Sequence, residues 1–174
     1  MTRGPAVTPE RWAAVALFAM DVDGILTDGR VLVSSDGSES KFFSVLDGLG
    51  LARARRAGIE IAWISGRASD ATTRRAAELG ISRLIQGRNE KETCLREILT
   101  ETGLKPEQAC YMGDDLIDLA AMRLAGIGVT VPEAAKNIRA EADWITTRSG
   151  GFGAVREVCD LLVAARAPRK GGAP

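Results

Sequence analysis

Histidine is missing altogether from this 174-residue chain. That absence removes the serine–histidine–aspartate and cysteine–histidine hydrolase schemes and any histidine-ligated metal, since each needs an imidazole as base or ligand. Acid, base, nucleophile and metal ligand must come from other side chains, with carboxylates first in line. Cysteine is scarce as well: Cys94, Cys110 and Cys159 form an odd, scattered set without a pair at metal-ligand spacing. They argue against a disulfide framework or a zinc site and read as reduced core residues. Net charge is lacking too, with 23 lysines and arginines against 23 aspartates and glutamates. No net field therefore draws the chain to nucleic acid or to an anionic membrane. No apolar run reaches the ~18 residues of a membrane span, and the opening MTRGPAVTPE has no secretory stretch. A cytoplasmic protein acting on small molecules is the expectation.

What the chain does have is 45% hydrophobic residues, enough for one compact domain burying roughly 70% of its unfolded surface. One domain is expected over 1–174, with loose termini at about 1–10 and 167–174 marked by Pro5, Pro9 and the tail APRKGGAP. Between them, apolar runs suited to buried strands (Ala14 to Met20, Ile59 to Ile64, Ala109 to Met112, and more weakly Ser82 to Gln86 and Ile127 to Val131) alternate with helical patterns. The helices are expected at about Gly48 to Ala57, Ser69 to Leu79, Glu90 to Thr102, Leu116 to Leu124 and Gly153 to Ala165, several closed by a following glycine. Alternation of this kind implies an α/β, doubly wound parallel sheet with helices on both faces, because parallel strands need crossover connections. One segment departs from it: Val31 to Ser34 and Lys41 to Val45 read as a hairpin around Asp36-Gly37. Its apolar residues need a cover, which a neighbouring subunit would supply.

Ligands of doubly wound sheets bind beyond the carboxyl ends of the strands. The first strand ends in Asp21-Val22-Asp23-Gly24, the second in Ser65-Gly66-Arg67, and a later one in Gly113-Asp114-Asp115, while Lys91 opens a helix. Leaving a strand at i and i+2, Asp21 and Asp23 are expected to point to the same side and, with Asp114, to concentrate negative charge that is costly unless a cation sits among them. A hard divalent ion with oxygen ligands fits, and Mg²⁺ is the usual one beside phosphate. An aspartate of ordinary pKa, ~3.9, attacks phosphorus without a base, which makes Asp21 the candidate nucleophile. Asp23 is placed to give a proton to the leaving group and to take one from water. Ser65 and the backbone N–H near Gly66 can bind phosphate oxygens, and Lys91 can neutralise another.

These four motifs, DVDGILTDG, ISGR, Lys91 and GDDLID, resemble in order those of the haloacid dehalogenase superfamily of phosphatases. The resemblance implies Asp21 as nucleophile, Asp23 as acid/base and as a metal ligand through its backbone carbonyl, and Asp114 as the third protein ligand. Asp115 and Asp118 take supporting roles, and Thr27, Gly66, Asp47 and Gly48 are expected at the substrate. A finer similarity is to the 3-deoxy-D-manno-octulosonate 8-phosphate phosphatases. It is carried by the hairpin with Phe43-Ser44-Val45-Leu46-Asp47-Gly48, by Gln86-Gly87 before Lys91, and by GGFGAVREVCDLL near the C-terminus. Spacing leaves no room for a cap domain between Asp23 and Ser65 or between Ser65 and Lys91. The resemblance further implies a homotetramer in which a neighbour's hairpin and C-terminal segment cover the site. Two positions depart from the family pattern, Leu46 for the usual arginine and Phe152 for a polar residue. A related nine-carbon ulosonic acid phosphate or another sugar phosphate is therefore the alternative substrate, and a non-catalytic oligomerisation module the alternative role. Retention of all four motifs weighs against the module.

Overall fold

The computed structural model describes residues 7–166. The expected loose ends at 1–6 and 167–174 lie outside the described residues. Residues 7–10 are not loose: Thr8 caps helix α1 (Pro9–Ala14), its Oγ1 accepting from the backbone N–H of Arg11 at 3.4 Å. Pro9 is the first helical residue, a position where its missing N–H has no helical partner to lose.

Six parallel strands form the sheet, in the order β5-β4-β1-β6-β7-β8. They are β1 (Leu17–Met20), β4 (Glu60–Ser65), β5 (Arg83–Gln86), β6 (Ala109–Met112), β7 (Ile127–Thr130) and β8 (Trp144–Ile145). Every residue of β1 and β6 is buried, as a continuous apolar run in a covered parallel sheet requires. The crossovers are α2 (Val45–Arg56), α3 (Asp70–Glu78), α4 (Lys91–Thr102), α5 (Leu119–Leu124) and α6 (Lys136–Glu141), and α7 (Ala154–Arg166) follows the last strand and packs on α2. From β1 the chain builds outward through β4 and β5, then returns to lay β6 on the other side of β1. The strand order thus reverses between β1 and β6, where doubly wound sheets open a crevice. The register carries Met20 beside both Trp63 and Met112, so the chain ends after β1, β4 and β6 emerge on one rim.

The α/β doubly wound reading holds, with two local differences. The hairpin is shorter than its sequence suggests: β2 (Leu32–Val33) pairs antiparallel with β3 (Glu39–Ser40), and Lys41 to Val45 does not continue as a strand. Ser44 instead caps α2, its Oγ accepting from Asp47 N–H at 3.4 Å. A serine with an acid three residues on favours a helix start over the β preference of Phe42, Phe43 and Val45. The other difference is the last strand and α6, which the polar segment Lys136 to Asp143 conceals; Trp144 is fixed edge-on against Trp12 at 5.8 Å between ring centroids. Among the described residues, only the hairpin, α2 and β4 lie between Asp23 and Ser65, and only α3 and β5 between Ser65 and Lys91. No cap is inserted at either point. The three cysteines are free and buried, as their scatter indicates.

Candidate active site

The site forms where β1 and β6 part. Asp21 follows β1 directly, its N–H donating to Met112 O at 2.9 Å, so the nucleophile candidate stands on two zipped strands rather than on a free loop. Its Oδ1 accepts from Val22 N–H at 2.7 Å and lies 2.7 Å from Nζ of Lys91, whose side chain is wholly buried at the start of α4. The same ammonium donates to Asp118 Oδ1 at 3.2 Å. Asp118 is buried and fully engaged, taking Tyr111 OH at 2.8 Å on Oδ1 and the N–H groups of Asp114 and Asp115 at 3.2 Å on Oδ2. It fixes the Gly113-Asp114-Asp115 turn, while Asp115 itself caps the short turn Leu116–Asp118 from the surface.

One oxygen each from Asp21, Asp114 and Asp118 falls within 4.8 Å of the others. Burial, with Asp118 beside it, raises the Asp21 carboxyl to about 6 despite Lys91. Burial, with Asp21 and Asp118 next in weight, raises Asp114 to about 7. One lysine therefore does not offset three converging carboxylates, and a hard cation with oxygen ligands fits the donor set. Asp21 retains the ionised form at neutral pH, though by a smaller margin than an ordinary aspartate would.

Gly24 makes the approach possible. Its φ of +92° belongs to the left-handed region, and a Cβ there would run into the Asp114 carboxylate. On the opposite side of the same loop, Gly151 N–H donates to Ile25 O at 2.9 Å, and a Cβ on Gly150 would overlap the carbonyl of Gly24. The glycine-rich segment before α7 is thus a backbone-on-backbone buttress for the nucleophile loop.

The other expected site residues are each held by contacts within the protein. Asp23 lies past the end of β1, where strand alternation stops, and its carboxylate meets Lys41, with Nζ donating to Oδ2 at 2.9 Å. Thr27 is fully buried and its Oγ1 accepts from Gly29 N–H at 3.2 Å, which holds the loop closed rather than facing a ligand. Asp47 is buried at the junction of α2 with α7, accepting from Gly153 N–H at 3.2 Å and Arg156 N–H at 2.7 Å. Burial raises its carboxyl against the pull of those donors. It caps α7 from a distance in sequence, a reading that Leu46-Asp47-Gly48 alone does not suggest. Gly48 packs against the Arg75 guanidinium on α3. Ser65 is buried at the end of β4, its Oγ donating to Arg67 O at 2.8 Å and accepting from Arg67 N–H at 3.1 Å, and Gly66 lies under the Asn89 side chain.

Sequence reasoning did not single out Tyr111 or give Lys41 a firm place. Tyr111 reads as one more buried strand residue, and Lys41 lies in a segment whose chain direction the hairpin reading misplaces. Leu46 and Phe152, the two departures from the family pattern, come together with Phe42, Phe43 and Asp28 around one shallow cleft.

Comparison with known proteins agrees with this geometry. A profile of haloacid dehalogenase-like hydrolases matches residues 78–156. The 3-deoxy-D-manno-octulosonate 8-phosphate phosphatase KdsC of Escherichia coli K12 is 41% identical over 152 residues, covering 87% of this chain and 81% of that protein. The crystal structure of the Moraxella catarrhalis phosphatase of the same name, in complex with magnesium, phosphate and KDO, superposes with a TM-score of 0.89 at 48% identity, covering 90% of each chain. The cobalt-bound Haemophilus influenzae deoxy-D-mannose-octulosonate 8-phosphate phosphatase gives 0.87 at 36% identity, covering 90% of this chain and 91% of that one. With the parallel sheet, the acid cluster at its switch point and this extent of identity together, the chain belongs to the haloacid dehalogenase-like hydrolases, within the group of 3-deoxy-D-manno-octulosonate 8-phosphate phosphatases.

Proposed function

We propose that this protein hydrolyses the phosphomonoester of 3-deoxy-D-manno-octulosonate 8-phosphate, releasing the sugar acid and phosphate through an aspartyl-phosphate on Asp21. The observation that carries the reading is the buried Lys91 at 2.7 Å from Asp21, beside Asp114 and Asp118. A nucleophile, a cation and a cation-demanding carboxylate set meet at the one crevice of the sheet. Magnesium, held by the carboxylates of Asp21 and Asp114 and the backbone carbonyl of Asp23, would offset the negative charge of these acids and of the phosphate oxygens.

An Asp21 oxygen attacks phosphorus, and the bond from phosphorus to the ester oxygen breaks. Asp23 gives its proton to that oxygen, so the sugar leaves as an alcohol. Water then attacks the same phosphorus, its proton returns to Asp23, and the bond to Asp21 breaks to give inorganic phosphate and the free carboxylate. Lys91 holds Asp21 in place and faces the transferring group's charge throughout. Ser65 serves the phosphate when its hydroxyl exchanges the Arg67 carbonyl for a phosphate oxygen, beside the N–H groups near Gly66.

Phosphate release from a panel comprising octulosonate 8-phosphate, a nine-carbon ulosonic acid 9-phosphate and glycerol phosphate tests the substrate. The expected kcat/KM for octulosonate 8-phosphate exceeds that for glycerol phosphate by about 10²-fold or more, a lower bound for a polar site, which rejects an analogue lacking its hydrogen-bonding groups by about 10⁴-fold or more. Equal values would remove the substrate assignment and leave the phosphatase. A preference for the nine-carbon acid would place specificity in the cleft that Leu46 and Phe152 share.

The hairpin and the start of α2 carry Leu32, Val33, Phe42 and Val45 between 58% and 80% exposed. Large apolar side chains exposed this close together in the chain are candidates for an interaction site, and we assign them to a homotetramer that closes an otherwise capless site. Sedimentation at assay concentration is expected to give a tetramer, and a fully active monomer would refute that assembly. Among the described residues no helix is long and apolar enough to cross a membrane. The buried free thiols accord with a reducing setting, and we place the reaction in the cytoplasm.

A further inference from the structure

Lys41 is a buried charged side chain outside the nucleophile, lysine and carboxylate set described above. It leaves the return strand of the hairpin, and its side chain is 0% exposed although the residues on either side reach the surface. Burying an ammonium is costly unless its donors are matched. Here Nζ donates to Asp23 Oδ2 at 2.9 Å and lies 2.7 Å from Oδ1, with Thr72 Oγ1 at 3.4 Å and Glu39 Oε1 at 3.9 Å. Glu39 in turn accepts from Arg67 Nε at 3.0 Å. A charge chain of Asp23, Lys41, Glu39 and Arg67 therefore ties the hairpin to the proton carrier at one end and to the Ser65-Gly66-Arg67 loop at the other. Asp23 Oδ1 is buried and is the nearer of the two oxygens to Nζ, so the ammonium spans the carboxylate. Both oxygens are therefore held by one buried charge.

We propose that Lys41 is a positioning residue for the reaction: by holding both oxygens of the Asp23 carboxyl it fixes the rotamer from which Asp23 serves the leaving group and then water. The assignment rests on Asp23 acting as the acid and base described above. In this role Lys41 acts through Asp23 rather than on phosphorus directly. Without the clamp, the Asp23 side chain has other staggered rotamers open to it, and proton transfer requires the acceptor within hydrogen-bond reach of the transferring oxygen. The same arrangement makes the hairpin part of the catalytic geometry rather than only an apolar contact surface.

Leaving groups of different basicity separate this role from a merely structural one. An alkoxide needs the proton as it departs, whereas p-nitrophenolate leaves without one, and kcat/KM reports only the steps up to loss of the leaving group. For Lys41→Met, kcat/KM on a series of alkyl to aryl phosphates is expected to fall about 10²-fold at the alkyl end, the lower range for general acid catalysis, and less than about threefold for p-nitrophenyl phosphate. Lys41→Arg, which retains a donor to Oδ2, is expected to recover part of the alkyl activity, and circular dichroism with sedimentation checks that both variants keep the wild-type fold and assembly. A uniform loss across the series, or no loss at the alkyl end, overturns the proposal. Aryl phosphate turnover that persists in Asp21→Asn would instead count against the nucleophile assignment and leave the Lys41 comparison readable.

Discussion

Asp21→Asn is expected to lower kcat by at least about 10³-fold on every phosphate ester, because an amide cannot form the acyl phosphate through which the reaction runs. The substitution is nearly isosteric, so packing around β1 and β6 is preserved. Electrostatically it is mild for the fold: burial and Asp118 already disfavour charge on Asp21, raising its carboxyl to about 6. Lys91 keeps Asp118 at 3.2 Å as partner. Loss of activity with a thermal midpoint near that of the wild type is therefore the expected pair of results. Rapid acid quench of the wild type with labelled substrate should trap phosphate on the protein, and the variant should trap none. Turnover within tenfold of wild type would remove Asp21 from the nucleophile's place.

The same residue shows how far the sequence reads. The apolar runs that end in Asp21, Ser65 and Gly113-Asp114 are legible because a strand buried on both faces has no polar positions to blur its ends. The rim follows from alternation alone. Asp118 was visible only as a supporting acid, and nothing in its spacing reveals that it binds Lys91, Tyr111 and two backbone N–H groups at once; those partners come from α4, β6 and a turn. Asp23 lies in the turn of Val22 to Leu26, past the reach of strand alternation, and its pairing with Lys41 has no local signature. Asp47 and Gly48 looked like ligand contacts because they follow the hairpin in a matched motif. The contacts of Asp47 with the N-terminus of α7 span more than 100 residues and have no local signature. The hairpin itself was placed correctly and drawn too long, since a helix cap at Ser44 outweighs the β preference of its neighbours. Long-range polar contacts, not the apolar pattern, are the part of this site that required coordinates.

Removal of divalent cation carries the other large effect, and its pH dependence has a definite sign. Chelation is expected to abolish turnover. On the folded protein, Asp21 and Asp114 are raised from 3.8 to about 6 and about 7. The folded state thus holds protons that the unfolded state has already released, and stability falls as pH rises through that window. The full penalty stands above about pH 7. A divalent ion binds the ionised carboxylates and displaces those protons, so its affinity weakens by about tenfold per pH unit for each proton displaced as pH falls below the window's upper end. Magnesium at about 100 times its Kd at pH 8 adds about 2.7 kcal/mol of stability, a rise in thermal midpoint of roughly 5–10 °C for a chain of this size. At pH 5, with the same total magnesium, the rise should all but vanish, because protons occupy the carboxylates instead. Asp114→Asn removes the group with the higher value, and it should both weaken magnesium binding at pH 8 and flatten the pH dependence of the metal-free protein. Differential scanning fluorimetry over pH 5–8, with magnesium and with chelator, reads all of these. An equal gain at both ends of the range would mean that the metal does not sit among Asp21 and Asp114, whatever the effect of chelation on turnover.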